Sequence, residues 1–329
     1  MVSRRRFLLT AAAGALGWSG LVRPQAVPRE FRIAYLRAGP RTPDGALPEA
    51  LRNALAERGY VAGRNASFVT RFADGDTRRL PALAEEIVRM NVDVIVTQGG
   101  LATLAAKQAT SVIPIVMAPA TGDAVATDLI ASMPRPGGNV TGLTDETVLL
   151  SEKRMQLLAE IVPNARSIAV IWNASDEGMT GRYRGVMSAA RMLQIDVQAI
   201  AVREPQDFPG ALATLASRKP DALFLVSDVL TTSNRAPLIE FVAAQRIPAM
   251  YEYSYYVRDG GLIAYGPSPE EGFRQAAAFV DRILKGAKPA ELPAEHPSRY
   301  YLSLNRKTAA ALGMTLPQSL LLRADEIVQ

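Results

Sequence analysis

The groups in this 329-residue chain best suited to chemistry lie where apolar runs give way to turns. Gly99 and Gly100 separate the apolar run 92–97 from a helical pattern that opens with Leu101 and Ala102. Residues without side chains at that point let a ligand approach free backbone N–H groups at the positive end of a helix, a position that suits a carboxylate. The competing reading is a plain β-α turn in which glycine only solves a backbone problem. Asp123 and Asp228 can accept hydrogen bonds from an ammonium or hydroxyl group, or they can act as helix caps. Trp172, Tyr251 and Tyr253 offer flat faces for stacking on a ligand, with core packing as the alternative.

Catalytic signatures are thin. The chain has one histidine and no cysteine, which leaves serine-histidine schemes, cysteine nucleophiles and thiolate metal sites little to build on. His296 stands in a proline-rich connector, Ala-Glu-His-Pro-Ser, and is expected at the surface. No phosphate-binding Gly-x-x-x-x-Gly-Lys loop, no Gly-x-Ser-x-Gly elbow and no Gly-x-Gly-x-x-Gly after the first strand is present. Glu85 and Glu86 fall within an amphipathic pattern and read as a solvated face. The expectation is a binding protein with no cofactor and no metal, not an enzyme. Two alternatives stay open: an exported hydrolase working with carboxylates and hydroxyls, and a ligand sensor for a membrane receptor.

The elements that position these groups alternate between strand and helix. Strands are expected over 31–36, 66–72, 92–97 and 112–117, with helices between them around Leu51 and Leu55, around Leu83 and Ile87, and over 101–109. The series then restarts. A strand at 167–171, a helix over 180–193, a strand at 195–201 and a helix introduced by Asp207 follow in order, and a strand at 262–265 and a helix carrying Phe273, Ala276 and Val280 come later. Local matches support a repeat: 89–97 resembles 218–227, and Val-Ile-Pro-Ile-Val at 112–116 resembles Arg-Ile-Pro-Ala-Met at 246–250. The fold class expected is α/β, with two Rossmann-like lobes, parallel sheets and a hinge. The N-terminal lobe should span 30–145, completed by part of 266–290, and the C-terminal lobe 146–265, completed by part of 291–329.

Ligands of such lobes bind beyond the carboxyl ends of the strands. In the first lobe that rule selects Pro40, then Gly99, Gly100, Leu101 and Ala102, then Thr121 and Asp123. In the second it selects Trp172, Asn173, Ser227, Asp228, Tyr251 and Tyr253.

A pI near 9.5 and a formal charge of +5 invite a nucleic-acid reading, but the charge is unevenly placed. Arg4, Arg5, Arg6 and Arg23 lie in the first 26 residues, which hold no acid, so the remainder has 33 basic residues against 32 acidic. A nearly neutral body lacks the footprint that phosphate backbones require. Residues 1–26 combine that basic start with a short apolar stretch rich in alanine and glycine, too short for a confident membrane span. Ser3-Arg4-Arg5-Arg6-Phe7-Leu8 matches the twin-arginine export motif. The expectation is a signal peptide and a periplasmic location.

Several strings taken together resemble one known family. They are Gly59-Tyr60-Val61-Ala62-Gly63-Arg64-Asn65, Ile113-Pro114-Ile115-Val116, Arg135-Pro136-Gly137-Gly138-Asn139-Val140-Thr141-Gly142, Asn305-Arg306-Lys307-Thr308-Ala309 and the run Leu320 to Glu326. In this order they resemble the ABC-transporter substrate-binding family that includes tryptophan- and tyrosine-binding members. The resemblance covers about 31–328. It implies a type I periplasmic-binding-protein fold that closes on a small molecule, possessing an amino-acid-binding theme, and a monomer that presents its ligand to an ABC permease in the inner membrane. For an amino acid, the strand-end positions lead to the expectation of the amides of 99–102 on the carboxylate, Asp228 or Asp123 on the ammonium, and Tyr251 or Trp172 against the side chain. Ala124 departs from the family pattern, which has proline after the aspartate.

Overall fold

The computed structural model describes residues 30–119, 122–144 and 147–329. Thr121 and the signal-like segment 1–26 lie outside the described residues. Ile33, Ala34, Tyr35 and Leu36 are all fully buried, so β1 (Phe31–Arg37) is covered on both faces, as a central parallel strand must be. It is followed by α1 (Glu49–Glu57), β2 (Ala66–Phe72), α2 (Leu80–Arg89), β3 (Val94–Gln98), α3 (Gly100–Ala109), β4 (Ile115–Met117) and β5 (Val140–Gly142). The five strands are parallel, in the order β2-β1-β3-β4-β5. One face packs Ile33, Tyr35 and Val96 on Leu51 and Leu55 of α1. The other packs Ala34, Leu36 and Ile95 on Leu80, Ile87 and Ala106 of α2 and α3.

The chain then passes into α4 (Thr147–Ile161), β6 (Ser167–Asn173), α5 (Glu177–Met192), β7 (Asp196–Val202), α6 (Phe208–Arg218), β8 (Ala222–Leu225), α7 (Val229–Ser233), α8 (Arg235–Ala244), β9 (Ala249–Tyr251), α9 (Ser254–Arg258) and β10 (Ile263–Pro267). After these come α10 (Pro269–Leu284), β11 (Tyr300–Asn305), α11 (Arg306–Ala311), α12 (Gln318–Arg323) and β12 (Glu326–Val328). The second sheet runs β12-β11-β10-β9-β8-β6-β7. Reading inward from β7, its first five strands repeat the order of the first sheet. Only the β10–β11 pair is antiparallel.

The repeat extends to single hydrogen bonds. Asp93, just before β3, accepts from the Arg32 backbone N–H through Oδ2 at 2.8 Å, and Asp221, just before β8, accepts from Arg166 and Ser167 at 2.8 and 2.9 Å. Those two N–H bonds hold the Asp221 carboxyl below its ordinary range. The carbonyl of Pro114 accepts from Ile95 N at 2.9 Å, and that of Pro248 accepts from Leu223 N at 2.8 Å. Each proline ends a loop just ahead of a strand that it cannot join as a donor. For this reason β4 begins at Ile115, later than the expected 112.

Three passages link the sheets: β5 to α4, β10 to α10, and α10 to β11. Helix α10 packs on the first lobe, with Phe273, Ala276, Val280 and Ile283 in the cluster that holds α1. The strand after it lies in the second sheet. Between them, 292–296 leans on the end of β5. Thr141 Oγ1 donates to Leu292 O at 2.7 Å, Glu295 N donates to Gly142 O at 2.9 Å, and exposed His296 meets Thr144 O through Nδ1 at 3.0 Å. Asp207 is not a direct cap of α6. It closes a 3-10 turn at Pro205–Asp207, its Oδ2 accepting from Arg203 and Glu204 N–H. Among the described residues no helix is long and apolar enough to cross a membrane.

Candidate ligand-binding cleft

The carboxyl ends of the parallel strands of the two sheets approach each other and touch. Gly122, beyond β4, comes so near α5 that a Cβ added there would lie 3.8 Å from both Gly178 Cα and Met179 Cε. Val229, at the start of α7, packs on the first-lobe cluster that contains Ala38, Leu80 and Ala102. The Arg78 guanidinium is held above its ordinary pKa first by Asp76 beside it and also by Glu204 of the other lobe.

On the first rim, Gly99 adopts φ 90° and ψ 152°, a region that only glycine enters without strain, and no side chain caps the helix it precedes. A buried relay fixes this turn. Thr97 and Thr103 share a hydroxyl hydrogen bond at 2.7 Å, and Thr103 Oγ1 donates to Gly99 O at 3.0 Å. The first intrahelical bond is Thr103 N to Gly99 O at 3.2 Å, so the N–H groups of Gly100, Leu101 and Ala102 have no intrahelical acceptor. The side chains of Leu101 and Ala102 belong to the core. Ala102 is fully buried and offers a ligand only its backbone, while Leu101 is half-buried. Pro40 is exposed on the outer rim, where 38–41 is tied to 73–75 by Asp74 N to Gly39 O and Gly75 N to Ala38 O. Asp123 Oδ1 accepts from Val125 and Ala126 N–H at 3.1 and 3.0 Å, which makes it a turn cap. The turn keeps this shape with Ala124 in place of proline, because Thr144 Oγ1 accepts from Ala124 N at 2.9 Å.

The second rim is built from side chains. Asn173 Nδ2 donates to Asp228 Oδ2 at 2.6 Å, while Asp228 Oδ1 accepts from Thr231 N and Oγ1 at 2.9 and 3.0 Å. Asp228 is thus the N-cap of α7, and burial raises its carboxyl above the usual value of 3.8. Asp176, a residue that sequence reasoning passes over, caps α5 through Gly178 and Met179 N–H. Burial raises its pKa too, with the charge of Asp228 adding to the effect. Its signal was readable, an aspartate directly ahead of a helix.

Behind these acids lies an ion triad with no exposed member. Glu252 accepts from Arg154 Nη1 at 2.9 Å and Arg182 Nη1 at 2.6 Å, and the three side chains are 1%, 3% and 3% exposed. Ser227 N donates to the same carboxylate at 3.2 Å, and Arg154 Nε donates to Tyr265 O at 2.7 Å. A Cβ on Gly266 would stand 1.8 Å from Glu252 O, so β10 passes this site only as glycine.

The aromatic residues divide. Trp172 is 8% exposed and stacks on Tyr183 at 3.9 Å between centroids and 5° between planes, with its Nε1 buried and without a partner among the described residues. Tyr253, 5% exposed and in the same buried cluster as Tyr251, stacks on Tyr255 at the start of α9. Tyr251 differs from expectation: its ring lies in the core on the α8 and α9 side, stacked on Tyr256 at 4.8 Å and against Gly261. In this arrangement it does not join the rim. Asn173 bonds Asp228, and the adjoining Ser227 bonds Glu252 through its backbone N–H, whereas Gly99, Gly100, Leu101, Ala102 and Asp123 belong to the other rim. Among the described residues no group of three or more His, Asp or Glu side chains is arranged to hold a metal ion.

A convergence of backbone N–H groups facing carboxylates across two apposed rims is an arrangement for holding a small molecule. Comparisons agree. A tyrosine-binding protein of Clostridioides difficile (strain R20291) is 27% identical over 262 residues, 79% of this chain and 74% of the relative. The crystal structure of a conserved domain protein from Vibrio cholerae superposes with a TM-score of 0.85 at 26% identity, covering 91% of this chain and 100% of that one. An ABC domain from Streptococcus pneumonia solved in complex with L-Trp gives 0.84 at 23% identity, with the same coverage. The fold is that of the type I periplasmic binding proteins. The family model described as ABC transporter substrate binding protein matches residues 46–328, and the chain belongs to that family of small-molecule-binding proteins.

Proposed function

We propose that the chain captures an amino acid, with aromatic side chains the leading class, and hands it to an ABC permease without chemically altering it. The observation that carries this reading is that the uncapped start of α3 and the helix starts bearing Asp176 and Asp228 come from lobes that meet there, Val229 packing on the cluster of Leu101 and Ala102 and Gly122 nearing Gly178. The 27% identity to a tyrosine-binding protein supports the aromatic class. In this reading the amides of Gly100, Leu101 and Ala102 take the carboxylate, Asp228 with Asp176 faces the ammonium, and Trp172 and Tyr253 line the side chain. Asp123 borders the same space. The lobes correspond to 30–145 with α10 and to 146–265 with the chain from β11 onward, and the three passages between the sheets serve as the hinge. Ligand contact with both rims shifts the balance toward closure.

ABC substrate-binding proteins work outside the cytoplasm. We assign periplasmic export of this monomer to the twin-arginine segment, so that replacing Arg4 and Arg5 by lysine should leave the chain in the cytoplasm on fractionation. Function is tested by calorimetry and thermal unfolding of the mature chain with the twenty L-amino acids. A ligand at about 100 times its Kd stabilises the folded state by about 2.7 kcal/mol, a shift of several degrees. L-tyrosine or L-tryptophan should produce it. If no amino acid raises the midpoint, the amino-acid reading is wrong.

A further inference from the structure

The end of β1 carries a group that neither the strand-end rule nor the network above uses. Arg37 is the last residue of β1 and the register partner of Gln98, the residue before Gly99. Tyr35 OH donates to Gln98 Oε1 at 2.5 Å, fixing that side chain. The Arg37 guanidinium folds back over Gly39, where an added Cβ would lie 2.8 Å from Nε and 3.2 Å from Nη2. Gly39 is therefore what lets the guanidinium lie along the rim. The Nε is buried without a hydrogen-bond partner, and among the described residues no carboxylate pairs with the group. Arg52, Arg71 and Arg79 of the same lobe each hold an acid.

Arg37 is half-buried, and a buried Nε left without a partner is costly. The strand that Arg37 ends lies beside β3, which leads through Gly99 into a second positive feature, the first turn of the ten-residue helix α3. Two like-signed features side by side are unfavourable alone and complementary to one anion between them. An arginine fork matches a carboxylate in shape as well as charge. The other rim bears Asp176 and Asp228, so the cleft is polarised, cationic on the first lobe and anionic on the second.

Resting on the amino-acid reading, we propose that Arg37 is the specificity-determining residue for the acid group of the ligand, holding its carboxylate against the start of α3. The backbone amides orient the group, and Arg37 supplies the charge that distinguishes an acid from its amine or neutral analogue.

The test uses the mature chain and three probes that share one ring: L-tyrosine, tyramine, which lacks the carboxylate, and 3-(4-hydroxyphenyl)propionate, which lacks the amine. Calorimetry should show Arg37→Gln losing about 10- to 100-fold in affinity for L-tyrosine, the range for hydrogen bonds to a charged group. Any tyramine binding should change less than about twofold, since that probe has nothing for the guanidinium to hold. Arg37→Lys keeps the charge without the fork and should fall between. Gly39→Ala displaces the guanidinium without removing it and should follow Arg37→Gln. Unfolding midpoints close to that of the wild type confirm that each variant is folded. Unchanged L-tyrosine affinity in Arg37→Gln overturns the assignment, and so does an equal loss for L-tyrosine and tyramine, which would mean a structural role. A wild type that binds the propionate but no amino acid leaves Arg37 standing and removes the amino-acid reading. One that binds tyramine alone, or none of the three probes, removes Arg37.

Discussion

The two lobes share a strand order and even matching bonds at Asp93 and Asp221, yet their rims are made of different material. The third strand of the first sheet ends in Gln98, Gly99 and Gly100, whereas its counterpart β8 leads into Ser227 and Asp228. The fourth strand of the first sheet ends at Ala118 and Pro119, and that of the second at Glu252 with two arginines on it. One rim offers backbone and Arg37, which pairs with no carboxylate among the described residues. The other commits its acids to caps and ion pairs before any ligand arrives. A shared scaffold thus sets where a ligand meets the chain, and the residues after each strand decide whether that place is prewired or open.

The comparison breaks most readily at Glu252. Removing it leaves two buried guanidinium groups facing each other, and breaking a buried pair by deleting one partner costs about 3–5 kcal/mol. Glu252→Ala should lose that much in denaturant unfolding. In the chain without residues 1–26, Trp172 is the only tryptophan, so its fluorescence reports the second lobe directly. A loss below about 1 kcal/mol would show that the triad does not hold this rim together.

Much of this was legible beforehand, and the failures have physical causes. The 89–97 and 218–227 match placed Asp93 and Asp221 in register, and 112–116 with 246–250 did the same for Pro114 and Pro248, because a repeated fold repeats its turn chemistry. The Gly99–Gly100 step was legible because glycine ahead of a helix has few other uses. Tyr251 was not, since a strand buried on both faces has no alternation to say which side a ring takes. Asp228 was readable as either ligand or cap, and the Thr three residues on, whose N–H and hydroxyl it accepts from, shows that it caps. Helix α4 escaped notice because buried Ser151 and Arg154 interrupt its apolar face. The partners of Glu252 lie 98 and 70 residues away in sequence, beyond any local pattern.

The first lobe should fail differently, through its backbone. Gly99→Ala places a side chain at φ 90° and should cost about 1–3 kcal/mol by calorimetric unfolding. Gly100, already inside α3, should gain up to about 1 kcal/mol on becoming alanine, because a helix favours alanine over glycine. If the amides of this turn receive a carboxylate, Gly100→Ala should nonetheless weaken L-tyrosine binding. Two adjacent glycines would then be separated into one needed for the fold and one needed for the ligand. Equal stability effects at both positions would contradict the helix-start geometry.

The smallest effect is the one that distinguishes the rims by charge. Asp176 and Asp228 bind protons more tightly folded than unfolded, because burial raises both carboxyls above their ordinary value of 3.8. The folded state therefore carries more protons than the unfolded one from that value up through the raised pKa values, and stability of the unliganded chain should fall as pH rises through the window. An ammonium placed beside these acids draws their pKa values back down, so binding expels protons and affinity should rise with pH over the same interval, by less than about tenfold. Above about pH 5, where its own glutamate-like carboxyl is ionised, the propionate probe, with no amine, should bind with a flat profile, and Asp176→Asn with Asp228→Asn should flatten that of L-tyrosine. A slope shared by both probes would place the titrating group elsewhere and erase the polarity that sets the second rim against the first.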